Sequence, residues 1–283
     1  MKCLVTGHKG YIGSKLFKRL VEEGHEVRGI DIDDPQSGPI EDVLTGEYSY
    51  RPDYIFHLAC FPSVQASVED PMGTLRNNVV ATSVVLDFAR RSGCKRVIYS
   101  SSAAVVGEGS GPESPYALQK LMSEMEAQLY TRLYGVDTVS LRYYNVYSPD
   151  QQAKGPYASV VANWMEYLRR HKSPFITGDG TQTRDMLHVD DVVSANLFVC
   201  KYPTPLGGAV FDVGTGTSIS LNEMRKVVEQ SFPGVAFDYI PARPGDIHTS
   251  ASDPSRLIAL GWSPSTPPPR GIGECFQQLS EIL

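Results

Sequence analysis

What this chain has little of narrows it first. Its five cysteines, at 3, 60, 94, 200 and 275, form no CxxC pair and no metal-ligand spacing. An odd, scattered set reads as reduced cytosolic thiols, and neither a disulfide frame nor a bound metal is expected. No apolar run approaches the roughly 20 residues that a membrane-spanning helix needs. After Lys2 only a few apolar residues precede a glycine turn, so no secretory leader is expected. Basic residues are outnumbered, 26 against 32 acidic, for a formal charge of −6. That argues against general nucleic-acid binding, although arginines aimed at a small anion fit inside an acidic protein. There are no internal repeats and no low-complexity segment. The expectation is a cytoplasmic globule with no membrane or nucleic-acid partner, its 283 residues enough for one domain and a smaller lobe.

The N-terminal end carries the first positive signal. Met1-Lys2-Cys3-Leu4-Val5 is a short apolar run, followed by Thr6-Gly7-His8-Lys9-Gly10-Tyr11-Ile12-Gly13. Leu16, Phe17, Leu20 and Val21 then recur at helical spacing up to Gly24, and the apolar run Glu26–Ile30 ends at Asp31. Strand, glycine turn, helix, strand, acid is the context of a dinucleotide site. Gly7, Gly10 and Gly13 permit a tight turn and close approach to a pyrophosphate, and the helix N-terminus supplies free N–H groups. Asp31 is placed to accept hydrogen bonds from a ribose diol. Asp33 and Asp34 follow it, so a 2′-phosphate would meet negative charge, which favours NAD over NADP. Glycines serving only as turns are the plainer alternative.

A second signal is Tyr116-Ala117-Leu118-Gln119-Lys120. On a helix these two ends share a face. A free tyrosine ionises near about pH 10, and an adjacent ammonium lowers that value toward one usable in proton transfer. An exposed pair on a solvated helix is the plainer alternative. Apolar runs alternate with helical patterns up to about Tyr147: Asn78 to Ser92 reads as a helix stopped by Gly93, and Val97-Ile98-Tyr99 and Val139–Tyr143 read as strands. This is an α/β chain with a Rossmann-type doubly wound parallel sheet, and Ser102 falls at the ligand-binding end of a strand. After Pro149 the order loosens into a smaller α/β lobe. Residues 1–147 plus 187–202 are assigned to the dinucleotide-binding domain, and 148–186 plus 203–283 to the substrate lobe, ending in a helix from about Gly271 to Leu283.

Taken together, Gly7-x-x-Gly10-x-x-Gly13 and Tyr116-x-x-x-Lys120 resemble the extended short-chain dehydrogenase/reductases, in the nucleotide-sugar epimerase/dehydratase branch. The resemblance runs along the chain. His57-Leu58-Ala59-Cys60 is similar to the family's HLAA turn after the fourth strand. Asp70-Pro71 with Asn77-Asn78-Val79 is similar to DP…NV, Tyr99 to Gly107 to SSSxxVYG, and Arg142 to Tyr147 to RYFNVYG. Gly178 to Asp191 is similar to GDGxxxRDxxHVxD, and Arg243-Pro244-Gly245-Asp246 to RPGD. The resemblance implies cofactor contacts from Gly7, Gly10, Tyr11, Ile12, Gly13, Asp31, Asp42, Val43, Leu58, Ala59, Asn78, Ser100, Tyr116, Lys120 and Tyr143. It implies catalytic roles for Ser102, Tyr116 and Lys120, and contacts to a nucleotide sugar from Ser63, Ser102, Asn145, Arg184, Arg243 and Asp246. Ser102 has a plainer reading as the cap of the next turn.

Relatives that eliminate water carry Asp-Glu directly after the catalytic hydroxyl residue, and decarboxylating relatives keep the glutamate. Ala103 and Ala104 stand there instead and transfer no proton. What remains is reversible oxidation: C4 epimerisation through a transient 4-keto sugar, with NAD recycling. A 4-ketoreductase or oxidase, and a cofactor-sensing binding protein on the same fold, are the alternatives. Gly155-Pro156-Tyr157-Ala158-Ser159-Val160-Val161, with Trp164, resembles a segment of UDP-N-acetylhexosamine 4-epimerases, and Phe61-Pro62-Ser63-Val64 with Ser67 resembles their sugar loop. Either these sugars or plain UDP-hexoses are the expected substrates. The chain departs from the pattern in its short Ser102–Tyr116 and Asp31–His57 intervals, in Val106 for tyrosine and in Ser148 for glycine. Many relatives dimerise through two helices per subunit, here about 79–92 and 115–134. Leu118, Leu121, Met122, Met125, Leu129 and Leu133 form an apolar stripe on the second, which faces either a second subunit or the sheet.

Overall fold

The computed structural model describes residues 1–283 apart from 47, 154–157 and 243–246. Two compact units form, one of 1–106, 110–142 and 193–211, the other of 107–109, 143–192 and 212–283. The chain begins β1 (Lys2–Thr6), α1 (Tyr11–Glu22), β2 (Glu26–Ile30), α2 (Ile40–Leu44), β3 (Tyr54–His57), α3 (Val64–Glu69) and α4 (Pro71–Leu75). A π turn over Arg76–Val80 leads into α5 (Ala81–Ser92), β4 (Arg96–Ser102), α6 (Pro115–Tyr134) and β5 (Thr138–Tyr143). Next come β6 (Val146–Tyr147), α7 (Val160–Arg169), β7 (Phe175–Thr177), β8 (Thr183–Asp185), β9 (Leu187–His188), α8 (Val189–Lys201) and β10 (Ala209–Val213). The remainder is β11 (Ser218–Ser220), α9 (Leu221–Ser231), β12 (Asp238–Ile240), β13 (Thr249–Ser250), α10 (Ser255–Ala259) and α11 (Pro268–Ser280).

In the first unit the six-stranded sheet runs β10-β5-β4-β3-β1-β2. β1 pairs in parallel with β2 and β3, and β3 with β4. Leu4, Ile55 and Val97 from these strands pack with Ile40 and Leu44 of α2 and Val85, Leu86, Phe88 and Ala89 of α5. Each of these leucine, isoleucine, valine and phenylalanine side chains, when fully buried, contributes about 1.5–3 kcal/mol. Strand order reverses between β1 and β3, and in open α/β sheets a ligand crevice opens at that switch, beyond the carboxyl ends of the strands.

Three boundaries differ from expectation. None of the described residues between β2 and β3 forms a strand, so the His57–Cys60 turn follows the third strand, not the fourth, and β2 is the sheet's edge. The short Asp31–His57 interval holds only α2. The returning segment is 193–211 rather than 187–202, because β10 adds to the sheet beside β5. Arg96, buried on β4, ties this segment down by pairing with Asp137 at 2.5 Å and donating to the carbonyls of Val199, Tyr202 and Thr204. The last helix begins at Pro268, since proline at N1 or N2 forgoes only N–H groups that a helix leaves free, and it ends at Ser280.

In the second unit β8 lies between β11 and β13, with β7–β12 and β6–β9 as separate ribbons. Tyr147, Trp164, Met165, Ile176, Met224, Ile272 and Phe276 fill its core. The fully buried Asp185 accepts hydrogen bonds from the Thr215 N–H and hydroxyl and the Gly216 N–H, which fixes the turn between β10 and β11.

Candidate active site

The glycine turn between β1 and α1 is shaped by close approach. Gly7 has φ 74°, and a Cβ there would lie 2.7 Å from the Ala59 backbone nitrogen. A Cβ on Gly13 would overlap the Gly7 carbonyl oxygen, while Gly10 donates to that same carbonyl at 3.0 Å. Tyr11 and Ile12 open α1 behind this cradle. At the end of β2 the buried Asp31 carboxylate accepts from the Lys9 N–H at 2.8 Å and the Asp33 N–H at 3.1 Å. A cradle with no room for side chains, a helix N-terminus and a fixed carboxylate fit the pyrophosphate and ribose diol of NAD.

Next to the cradle, Leu58 N bonds Thr6 O at 3.1 Å and Ala59 N bonds the Thr6 hydroxyl at 3.3 Å. The hydrogen bonds continue into the core. Thr6 Oγ1 lies 2.7 Å from His57 Nδ1, and His57 Nε2 lies 3.0 Å from the Thr82 hydroxyl, which donates to the Asn78 carbonyl. His57 is fully buried, and desolvation followed by the Lys120 charge pushes its pKa down to about 3. Asn78 sits in the π turn. Its carboxamide accepts from Phe61 N at 2.6 Å and donates to Phe61 O and to Gln119 Oε1. Its side chain is thus committed to bracing the loop that carries Cys60 and Ser63.

Tyr116 and Lys120 lie in the first turns of α6. Pro115 opens the helix and Ser114 caps it, accepting from Ala117 N at 3.2 Å. Tyr116 N donates to the fully buried Ser67 hydroxyl at 3.0 Å. Both motif side chains point inward: Tyr116 is 7% exposed and Lys120 2%. Lys120 Nζ donates to Ser100 O at 2.6 Å, and lies 5.0 Å from the Tyr99 ring centre and 6.0 Å from that of Tyr116. Burial pushes the Tyr116 phenol up to about 12, against the opposing pull of the Lys120 charge and of a hydrogen bond with Ser102. The spacing does bring the ammonium to the phenol, but the expected net lowering is outweighed by desolvation. Burial pulls Lys120 downward in turn; the Cys60 thiol and the two tyrosines outweigh it, so its net shift is upward and it keeps its charge.

Ser102 ends β4 and caps the short turn over Ala103–Val105, accepting from Ala104 N at 3.2 Å. Capping is therefore one of its roles. One turn beyond Lys120, the buried Glu124 accepts from the Ser101 hydroxyl at 2.5 Å and from Arg142 Nε and Nη2 at 2.8 Å each. Gln119, inside the motif, donates to Pro71 O at 3.2 Å and Thr74 Oγ1 at 3.0 Å. Glu124 has no part in the sequence reading, Gln119 and Cys60 enter it only as members of motifs, and Ser67 only as a sugar-loop serine. Glu124 had a readable signal, its helical spacing from Lys120.

The other candidates are spread more widely. Ser63, buried, caps α3 by accepting from Ala66 N at 2.8 Å. Asp42 is exposed on α2, Val43 packs against the core, and Tyr143 is buried at the end of β5. In the second unit Asn145 donates to Asp185 O at 2.8 Å and to the Ser250 hydroxyl at 3.2 Å, and Arg184 on β8 donates to Thr183 O at 2.9 Å. Ser148 donates to Asp150 at 2.6 Å, which gives the serine a local use where the pattern has glycine. Arg243, Asp246 and the Gly155–Tyr157 part of the sugar segment lie outside the described residues.

Residues 3–214 match the model of the NAD dependent epimerase/dehydratase family. The UDP-glucose 4-epimerase of Mycolicibacterium smegmatis is 35% identical, with 98% of each chain covered. Among solved structures, the UDP-glucose 4-epimerase of Thermotoga maritima with UDP-glucose superposes with a TM-score of 0.91 at 31% identity, covering 100% of this chain and 99% of that one. The Thermus thermophilus UDP-glucose 4-epimerase in complex with NAD gives a TM-score of 0.86 at 29% identity, with 100% of both covered. With the glycine cradle, the fixed Asp31 and the buried Tyr116–Lys120 pair on the same fold, this chain belongs to the NAD dependent epimerase/dehydratase family.

Proposed function

We propose that this chain is an NAD-dependent nucleotide-sugar 4-epimerase that interconverts the C4 epimers of a UDP-hexose through a transient 4-keto sugar. The observation that carries the reading is Ser102 at the end of β4 with the buried Tyr116 and Lys120 at the start of α6, and alanine at both positions after the serine. NAD, when bound, supplies the hydride acceptor and later the donor. Tyr116 Oη takes the proton of the sugar hydroxyl and returns it. Ser102 Oγ hydrogen-bonds the same oxygen. Lys120, held on Ser100 O, keeps a positive charge beside the phenol, so a phenolate formed there is stabilised in a site otherwise hostile to it. Arg184, Arg243 and Asn145 are assigned to the diphosphate, Ser63 to the sugar and Asp246 to the nucleotide ribose, with the first unit as the cofactor domain. Guanidinium geometry suits phosphate oxygens. UDP-glucose and UDP-galactose are the expected pair, as the relatives' names support.

The test is NMR of the purified protein with UDP-glucose, UDP-GlcNAc and UDP-glucuronate and their C4 epimers, with reduced-cofactor absorbance followed in parallel. Interconversion without net NADH supports the epimerase; stoichiometric NADH formation replaces it with an oxidoreductase.

A homodimer is part of the same proposal. Leu118, Met122, Met125, Leu129 and Leu133 on α6 are all exposed, between 38% and 61%. The inward face of that helix is instead Tyr116, Gln119, Lys120, Ser123 and Glu124. An outward apolar stripe of five large side chains is covered by a second copy; a monomer mass by light scattering at micromolar concentration would refute it. Cytoplasmic placement is proposed on the free state of all five cysteines. Among the described residues no helix is long and apolar enough to cross a membrane.

A further inference from the structure

The short interval between Ser102 and Tyr116 contributes residues 107–109 to the second unit. They form the tip of a tight loop, in which Val106 N bonds Ala103 O at 3.0 Å and Gly111 N bonds Val106 O at 3.2 Å. Gly107 at φ 58° and Gly109 at φ 98° flank the side chain at that tip, Glu108. Left-handed backbone on both sides costs glycine little and other residues more. Glu108 is exposed, yet its carboxylate is engaged. Its Oε1 accepts from the backbone N–H of His248 and, at 3.4 Å, from that of Thr249. Thr249 begins β13, and Thr249 and Ser250 pair in register with Thr183 and Arg184 of β8. His248 O accepts from Thr183 N at 2.9 Å. The Ser250 hydroxyl accepts from Asn145 Nδ2 at 3.2 Å, and its carbonyl from the Ser218 hydroxyl at 2.9 Å.

We infer that Glu108 is a positioning residue for nucleotide-sugar binding, which clamps the start of β13 and so sets where Ser250 holds Asn145 and where Arg184 lies beside it. β13 is two residues long and forms the edge of its sheet, so its own ladder specifies its register weakly and leaves N–H groups unpaired. One carboxylate oxygen takes two of those N–H groups in succession, and charge-assisted bonds of this kind are stronger than neutral ones. Asn145 and Arg184, the residues so placed, are two of those assigned to the diphosphate. Glu108 acts through β13 on anion contacts, so its effect falls on substrate affinity rather than on proton transfer. The inference rests on the nucleotide-sugar reading and adds to it a residue of the loop that this chain has shortened.

The experiment is calorimetric titration of UDP and, separately, of NAD+ into wild type, Glu108→Ala and Glu108→Gln, with steady-state epimerisation of UDP-glucose and UDP-galactose on the same preparations. In Glu108→Ala the Kd for UDP and the KM for the UDP-sugar are expected to rise about fivefold, the worth of about one hydrogen bond, while kcat and the Kd for NAD+ stay within about twofold of wild type. Glu108→Gln keeps an acceptor oxygen for the same two N–H groups and is expected to recover most of that loss. UDP affinity in Glu108→Ala within about twofold of wild type, or tighter than wild type, overturns the inference. So does a parallel loss of kcat and NAD+ affinity, or a Glu108→Gln that binds UDP no better than Glu108→Ala, since a clamp on β13 produces neither. Absence of both UDP binding and epimerisation in wild type overturns the nucleotide-sugar reading itself and this inference with it.

Discussion

Glu124 is the residue whose replacement tests the site from beneath. It is 2% exposed, and its carboxylate accepts three hydrogen bonds, one from Ser101 at 2.5 Å and two from Arg142 at 2.8 Å. Removing one member of a buried pair costs about 3–5 kcal/mol. Glutamine keeps the shape and exchanges charged hydrogen bonds, worth about 1.5–3 kcal/mol each, for neutral ones worth about 0.5–1.5. Arg142 is 23% exposed, so water relieves part of the loss. Glu124→Gln is therefore expected to lower the unfolding free energy by about 2–3 kcal/mol in urea titrations. A cycle with Arg142→Met should return a coupling of about 1–3 kcal/mol. Activity should suffer beyond stability. Ser101 lies between Ser100, whose carbonyl holds Lys120, and Ser102, so release of Ser101 moves both ends of the catalytic set. Displacements of about 1 Å cost up to a hundredfold; a fall in kcat of about tenfold is expected, with KM for the UDP-sugar little changed. Full stability in Glu124→Gln, within about 0.5 kcal/mol of wild type, would refute the reasoning.

Tyr116→Phe removes the proton acceptor and is expected to lower kcat about a thousandfold in the NMR epimerisation assay, while NAD+ binding by calorimetry persists. Phenolate absorbance near 295 nm should show no Tyr116 ionisation below about pH 10 in cofactor-free protein, since burial carries it to about 12. Gly13→Ala puts a methyl group onto the Gly7 carbonyl, and calorimetry should find NAD+ binding lost or weakened at least about a hundredfold. His57 carries a pKa lowered to about 3, so the unfolded chain takes up its proton first as pH falls. Its contribution is whole above about pH 6.5 and drains away toward pH 3. Between pH 7 and 4.5 wild type should lose about 2–3 kcal/mol more than His57→Gln in urea unfolding; parallel losses would assign the acid sensitivity elsewhere.

How much of this was legible in the sequence depended on how local the geometry is. Strand, glycine turn, helix and acid from Met1 to Asp31 can be read directly because each step follows from its neighbours, and one helical turn places Lys120 beside Tyr116 whatever surrounds them. The depth at which that pair is buried was not legible. It depends on Ser67, Thr74 and Asn78, residues that adjoin α6 only after the chain has folded. The position of the HLAA-like turn was misplaced by one strand because the strand count came from a family pattern, while the Asp31–His57 interval of this chain has room only for α2.

The orientation of α6 is the case where periodicity alone could not choose. Leucine and methionine at helical spacing ordinarily face a core, yet here they face outward and polar groups face the sheet. Burying a lysine, a glutamate, a glutamine and a serine on one face would cost several kcal/mol for each group left alone. None is left alone: Lys120 bonds Ser100 O, Gln119 bonds Pro71 O, Thr74 and Asn78, Ser123 bonds Asn78 O, and Glu124 bonds Ser101 and Arg142. The inward face is thus a satisfied polar network around the buried Tyr116–Lys120 pair. The same rotation of the helix that builds this network turns the apolar stripe outward. The buried Tyr116–Lys120 pair and the exposed apolar stripe are therefore two consequences of how one helix is turned, and a substitution that rotates α6 back toward the sheet would disturb both together.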